Sequence, residues 1–222
     1  MLDDIKAVAF DIDGTLYPSS SLYVRLLPYI IKHLRFYLHY NKVRRQMHRT
    51  APLPDFYEYQ ARLFAESKGC SVSEAKKIIK KVAYDGLKPY FQRIKPFKYV
   101  TETFKALHKN GYKVALLSDF PPQQKGEIWG LIPYCDLILG TEQLGALKPS
   151  KYPFGIMANA LELESSQILY VGNSIKFDVE GAANAGMKTA LIISKLKRIF
   201  SKKAKKADIL FSNYRQFLNI VL

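Results

Sequence analysis

The sequence predicts an α/β fold, a parallel sheet flanked by helices with an all-helical segment inserted after the first strand. Three observations carry this reading. An apolar run, Val8-Ala9-Phe10, stands alone near the start and ends in the acidic turn Asp11-Ile12-Asp13-Gly14. Residues from about Ser19 to Lys95 read as helix throughout. After Pro96, short apolar runs alternate with helix-like segments, the pattern of a parallel sheet.

The elements follow in order. The first strand ends at Asp11, and Gly14 lets the backbone turn sharply. Ser21 to Arg49 has helical content and many aromatics. Within it, Leu22 to Tyr40 is apolar enough to raise the membrane question. Arg25, Lys32, His33 and Arg35 interrupt that stretch and Pro28 falls inside it, which argues against a spanning helix. A basic amphipathic helix on a membrane surface, or a helix packed on its neighbours, both remain open. Asp55 to Ser67 reads as a helix, and Ser71-Val-Ser-Glu74 as a capping box opening another helix through about Tyr84. Tyr99 to Lys109 is a helix stopped by Asn110-Gly111. Strands are expected at Lys113 to Leu117, Leu137 to Leu139, Ile168 to Val171, Thr189 to Ile193 and Asp208 to Phe211. Helices are expected at Pro153 to Leu163 and Phe177 to Ala185. Pro18 and Pro96 suit hinges, which divides the chain into a core of residues 1–18 and 96–222 and a helical insert of residues 19–95.

Composition narrows the class. A chain of 222 residues with 48% hydrophobic and 24% charged residues can bury a sizeable core. Asp3 and Asp4 occupy the place of a basic n-region, so no signal peptide is expected. Cys70 and Cys135 form no CxxC or zinc spacing, as expected of reduced, buried thiols in a cytoplasmic protein. The formal net charge of +15 concentrates in Lys32 to Arg49 and Lys195 to Lys206. It fits solvated basic faces, or a surface for nucleic acid, anionic lipid or a phosphorylated substrate.

Three loops follow apolar strands: Asp11-Ile-Asp13-Gly14-Thr15, Leu117-Ser118-Asp119 and Val171-Gly172-Asn173-Ser174; Leu147-Lys148-Pro149 adds a fourth element. In an open α/β sheet, ligands bind beyond the carboxyl ends of strands. Carboxylates, a hydroxyl and a lysine gathered there are the equipment of phosphoryl transfer. These residues resemble, in order, the four motifs of the haloacid dehalogenase superfamily: Asp11-Ile-Asp13-Gly14-Thr15-Leu16, then Ser118, then Lys148, then Val171-Gly-Asn-Ser…Asp178-Val-Glu-Gly181. The resemblance covers the whole chain and implies a Rossmann-like core. The insert resembles the helical C1 cap of phosphoglycolate phosphatase-like and pyrimidine nucleotidase-like members.

The resemblance implies roles. Asp11 is the expected nucleophile and metal ligand. Asp13 is the expected general acid/base, its carbonyl also on the metal. Ser118, with Gly14 and Thr15 of the turn, is expected to bind the phosphoryl oxygens, and Lys148 to pair with phosphate and nucleophile. Asn173 and Asp178 complete the expected Mg²⁺ site. The family usually has aspartate where this chain has Asn173, so one negative charge is lost at the metal. Lys151 is the alternative lysine, and Asp119 a turn residue or part of the site's mouth. His33, His39 and His48 are expected on the surface or in helix packing, and Trp129 in a core or interface. Arg44 and Tyr57 are candidates for recognising the substrate.

The expected activity is Mg²⁺-dependent hydrolysis of a small phosphorylated metabolite through an aspartyl-phosphate. A phosphomutase is the alternative within enzymes. A basic module for nucleic acid or anionic membrane is the alternative outside them. A dehalogenase is disfavoured, because a departing halide needs no acid at Asp13.

Overall fold

A computed structural model of the chain describes residues 4–194 and 206–222. Most of the expected lysine run at Lys195 to Lys206 lies outside the described residues; Lys206 itself donates to Glu180 at 2.8 Å. Six parallel strands form one sheet: β1 (Ala7–Phe10), β2 (Lys113–Ser118), β3 (Leu137–Gly140), β4 (Ile168–Gly172), β5 (Lys188–Ile192) and β6 (Ile209–Phe211). Their spatial order is β3-β2-β1-β4-β5-β6. β1 is central, with Ala7 paired to Lys113 on one side and Ile168 on the other. The strand order reverses at β1, which opens a crevice at its carboxyl end.

β1 and β4 are buried along their whole length, as a parallel sheet covered on both faces requires. Alternate residues serve the two faces. Val8, Phe10, Val114, Leu116, Leu169 and Val171 pack in one cluster with residues of α6 (Val100–Lys109) and α9 (Tyr214–Val221). On the other face, Ala7, Ala9, Leu117 and Tyr170 pack with α7 (Lys151–Ala160) and Ala182 of α8 (Glu180–Asn184).

Between β1 and β2 run α1 (Ser19–Lys32), α2 (Leu34–Met47), α3 (Phe56–Lys68), α4 (Val72–Ile79) and the short α5 (Lys88–Phe91). Phe36, Tyr40 and Met47 of α2, Phe64 of α3 and Ile79 of α4 build a separate hydrophobic cluster. Leu22 and Leu26 of α1 and Phe91 of α5 join the sheet cluster instead. The helix starts are set by caps: Asp55 accepts from Glu58 N at 2.8 Å and Ser71 from Glu74 N at 3.2 Å. The Glu74 carboxylate does not close the expected box; it takes Lys68 at 3.1 Å.

Other details depart from the sequence reading. The apolar stretch Leu22 to Tyr40 is two helices, broken at His33 (φ −110°). α4 widens into a π-helical turn at Lys80–Asp85, and a second π turn at Ile175–Val179 precedes α8 where one helix was expected. α7 starts at Lys151, capped by Ser150, before the expected Pro153. α5 falls within the stretch expected to be helical, and α9 was not expected. Among the described residues, no helix is long and apolar enough to cross a membrane.

Candidate active site

The carboxyl ends of β1, β2 and β4 bring the acidic turn, Ser118 and the Gly172-Asn173-Ser174 loop together. Asp11 is buried at the end of β1. Its Oδ2 accepts from Thr15 Oγ1 at 2.6 Å and its Oδ1 from Lys148 Nζ at 2.7 Å. Lys148 Nζ also donates to Asp178 Oδ1 at 2.7 Å and to Tyr170 OH at 3.3 Å. The other Asp178 oxygen accepts the backbone N–H groups of Asn173 and Ser174 at 3.1 and 2.9 Å. Asp178 therefore ties the fourth loop to Lys148.

Two glycines permit this approach. Gly14 has φ +88°, and a Cβ there would lie 2.1 Å from Asn173 Nδ2. The Asn173 side chain thus packs directly over the turn after Asp13. A Cβ on Gly172 would lie 2.2 Å from Asp178 Cβ, so any larger residue would displace that carboxylate.

Asp13 has different surroundings. Its side chain is 28% exposed. Tyr17 OH donates to its Oδ1 at 2.6 Å. Its Oδ2 accepts from Ser118 Oγ at 3.2 Å and from Lys125 Nζ at 3.0 Å. Lys125 is buried, donates to Ser118 Oγ at 3.2 Å, and lies 4.9 Å from the centre of the Phe91 ring. No motif marks it: Pro121-Pro122-Gln123-Gln124-Lys125 reads as an ordinary loop. Lys151, by contrast, is exposed at the start of α7.

Burial pushes the Asp11 carboxyl up to about 7; Lys148 opposes that, while Asp178 and Asp13 reinforce it. For Lys148, burial works against the charge, but Asp11 and Asp178 outweigh it and hold the ammonium well above its usual range. Asp11, Asp178 and the Asn173 amide are oxygen donors on adjacent loops, the donor type a hard cation takes. Two carboxylates sharing one ammonium in a dry setting leave negative charge uncompensated, which suits such a cation. Among the described residues, no group of three or more His, Cys, Asp or Glu makes a metal site by itself.

The helical block closes over this end of the sheet through polar contacts. His48 Nδ1 donates to the Lys148 carbonyl at 2.6 Å, and its ring stacks on Phe177 at 4.6 Å. His48 therefore meets the core at the site, not the surface. Arg44 forms a buried ion pair with Glu142, whose other oxygen accepts from Tyr84 OH at 2.8 Å. Gln124 Nε2 donates to the carbonyls of Ala83 and Tyr84 at 2.7 and 2.8 Å. Asp119 accepts from Thr141 Oγ1 at 2.8 Å and from Lys148 N at 3.1 Å, fixing the start of the lysine segment. Trp129 Nε1 donates to the Ile94 carbonyl at 2.6 Å. His33 stacks on Tyr29 and His39 pairs with Ser67, both within the helices. A cavity of about 620 Å³ lies between α3, α4 and the loop after β2, lined by Tyr57, Gln60, Tyr84 and Gln124. None of Asp11, Asp13, Ser118 or Lys148 lines it.

The profile of the haloacid dehalogenase-like hydrolases matches residues 5–186, most of the chain and all the loops just described. The chain belongs to the haloacid dehalogenase-like hydrolases. Its relatives in that family include a ribulose-1,5-bisphosphate 5-phosphatase of Halopiger xanaduensis, 27% identical over 83% of each chain. A pyrophosphatase PpaX of Halalkalibacterium halodurans is 31% identical over 45% of this hydrolase; the match spans about half (47%) of the relative's length. A glyceraldehyde 3-phosphate phosphatase of Methanopyrus kandleri is 28% identical over 85% of this chain and 84% of its own. Among solved structures, a HAD phosphatase from Thermococcus onnurineus superposes with a TM-score of 0.65 at 22% identity, covering 98% of each chain. An L-2-haloacid dehalogenase from Xanthobacter autotrophicus does so at 0.64 and 18%. These two likenesses establish the fold this hydrolase shares with them.

Proposed function

We propose that this hydrolase is a Mg²⁺-dependent phosphatase of a small phosphorylated metabolite, working through an aspartyl-phosphate on Asp11. The observation that carries the reading is the environment of Asp11. It is a buried carboxylate at the central strand's end, aimed by Thr15 and Lys148, with a second, more exposed acid two residues on. The names of the three relatives above, two phosphatases and a pyrophosphatase, support phosphate esters or anhydrides as substrates.

In the first step an Asp11 oxygen attacks phosphorus and the bond to the leaving oxygen breaks, while Asp13 gives that oxygen a proton. In the second, Asp13 takes a proton from water as the water attacks phosphorus, which frees Asp11 and inorganic phosphate. Ser118 and the turn N–H groups of Gly14 and Thr15 hold phosphoryl oxygens. Lys148 keeps Asp11 oriented and offsets the phosphate's charge, and Lys125 keeps Asp13 against Ser118. Asp11, the Asp13 carbonyl, Asn173 and Asp178 would hold Mg²⁺, which supplies charge neutralisation when bound. Residues 19–95 act as a cap, and the cavity beside Tyr57 and Gln60 takes the part of the substrate away from the phosphate. Arg44 is not a selectivity group in this reading, because its guanidinium is committed to Glu142.

Turnover of a generic aryl phosphate tests the reading. It should require Mg²⁺, stop in EDTA, and vanish in Asp11→Asn, whose amide is a far poorer nucleophile. Full activity in EDTA, or retained turnover in the variant, would falsify it.

A further inference from the structure

Two helices present an apolar face to solvent with nothing packed on it. Tyr23, Val24, Leu27 and Ile31 of α1 and Leu34 and Leu38 of α2 are each between 53% and 73% exposed. At ~100° per residue, the four on α1 fall within ~100° of arc, well away from Leu22 and Leu26, which bury the opposite side. On α2, Leu34 and Leu38 are one turn apart, and Arg45 falls in line with them. The remaining exposed large apolar side chains of the described residues are scattered elsewhere in the chain.

The charge carried by these two helices has one sign. No Asp or Glu occurs from Gly14 to Pro54, a run of 41 residues. Arg25, Lys32, Arg35, Lys42 and Arg45 are exposed along the same two helices, and Arg49 is exposed just beyond α2. Arg35, Lys42 and Arg45 share the exposed side of α2 with Leu34 and Leu38, while Phe36, Tyr40, Val43 and Met47 take the buried side. A second copy of the chain would bring a like-charged, acid-free face against this one. The charge disfavours a two-fold contact of this face with itself and selects an occupant that is anionic and apolar in successive layers.

We infer that α1 and α2 form a docking surface for an anionic lipid bilayer. The helices lie in the plane of the interface, with Leu27, Ile31 and their neighbours in the acyl boundary and the cations at the headgroups. Long Lys and Arg side chains reach the headgroups while their stems stay among apolar atoms. Neither helix spans the bilayer; the attachment is peripheral and sensitive to salt.

Flotation of the full chain tests this, with vesicles of phosphatidylcholine alone and with about one third phosphatidylglycerol. The chain should float with the anionic vesicles only, and partitioning should fall about tenfold or more between low and high salt. Leu27→Asp with Ile31→Asp, and separately Arg35→Glu with Lys42→Glu and Arg45→Glu, should each lower partitioning at least ~tenfold. All five positions are exposed, so circular dichroism and hydrolysis of a generic aryl phosphate should not change. Leu27→Trp should add fluorescence that shifts to the blue on anionic vesicles alone. Failure of the wild type to float with anionic vesicles at low salt would overturn the inference. So would undiminished binding by the Leu27/Ile31 variant, since charge elsewhere would then suffice. A dimer in sedimentation equilibrium that Ile31→Asp dissociates would assign the face to a second copy and overturn it too.

Discussion

Lys125 and Lys148 divide the acids of the site between them: Lys148 takes Asp11 and Asp178, and Lys125 takes Asp13. The division matters because the two acids of the first turn are proposed to do different work. Asp13→Asn should lower kcat on an aryl phosphate by ~10²–10⁴-fold, the usual worth of acid–base assistance. If Lys125 acts by holding Asp13, Lys125→Met should lower kcat at least ~10-fold, and the double variant should be no slower than Asp13→Asn alone. Additive losses would assign Lys125 a contact of its own with the substrate. Asp11, Asp13, Ser118, Lys148 and Asp178 were legible because each follows an apolar run or sits in a spaced motif, and strand ends are visible as the place where apolarity stops. Lys125 was not, since a buried lysine in a proline-glutamine loop is defined by what folds over it. Asn173 was legible as a residue but not as a neighbour: its packing over Gly14 follows from φ +88° at that glycine.

At the scale of elements, alternation and caps were readable, and the width of helical turns was not. Asp55 and Ser71 start their helices as Asx and Ser caps do. The π turns at Lys80–Asp85 and Ile175–Val179 shift side chains by a single residue, too small a change to mark a sequence. α9 did carry a signal, with Asn213 as cap and Tyr214, Phe217 and Val221 on one buried side, but eight residues make a weak periodicity. α2 ends at Met47, and His48 just after it meets the lysine segment. Burial lowers the His48 pKa below 6.5; Asp119 and the Lys148 carbonyl oppose this, while Arg44 and the Lys148 ammonium reinforce it. The folded chain holds the ring neutral, so the unfolded chain takes up a proton first as pH falls. The stability this contributes is complete above ~6.5 and is lost below it, as pH drops toward the lower folded-state value. Melting temperature should therefore drop by a few degrees between about pH 7.5 and 5.5. His48→Gln keeps a donor for the Lys148 carbonyl without titrating, and should flatten part of that slope. An unchanged slope would exclude His48 as its source.

At the scale of the molecule, the helical block is held down by few but well-buried polar bonds. Arg44→Met would leave Glu142 with Tyr84 as its remaining partner in the described network, in a site where burial already raises the carboxyl's pKa. The expected cost is about 3–5 kcal/mol, since an uncompensated charge stays inside. Adding Glu142→Gln should return at least half of that in thermal unfolding; no recovery would mean the packing of Arg44 over Phe120, not its charge, is what counts. The sheet order carries a further consequence, in time and not in energy. β1 spans residues 7–10, but its partners are residues 113–116 and 168–171, so the strand bearing Asp11 leaves the ribosome long before either neighbour exists. The helices of the block, whose contacts are local, can form while β1 waits. The end of β1 gains its second wall only with β4, and Lys148 and Asp178 reach Asp11 from segments made late in synthesis. The proposed nucleophile is thus made well before the segments that give it its surroundings.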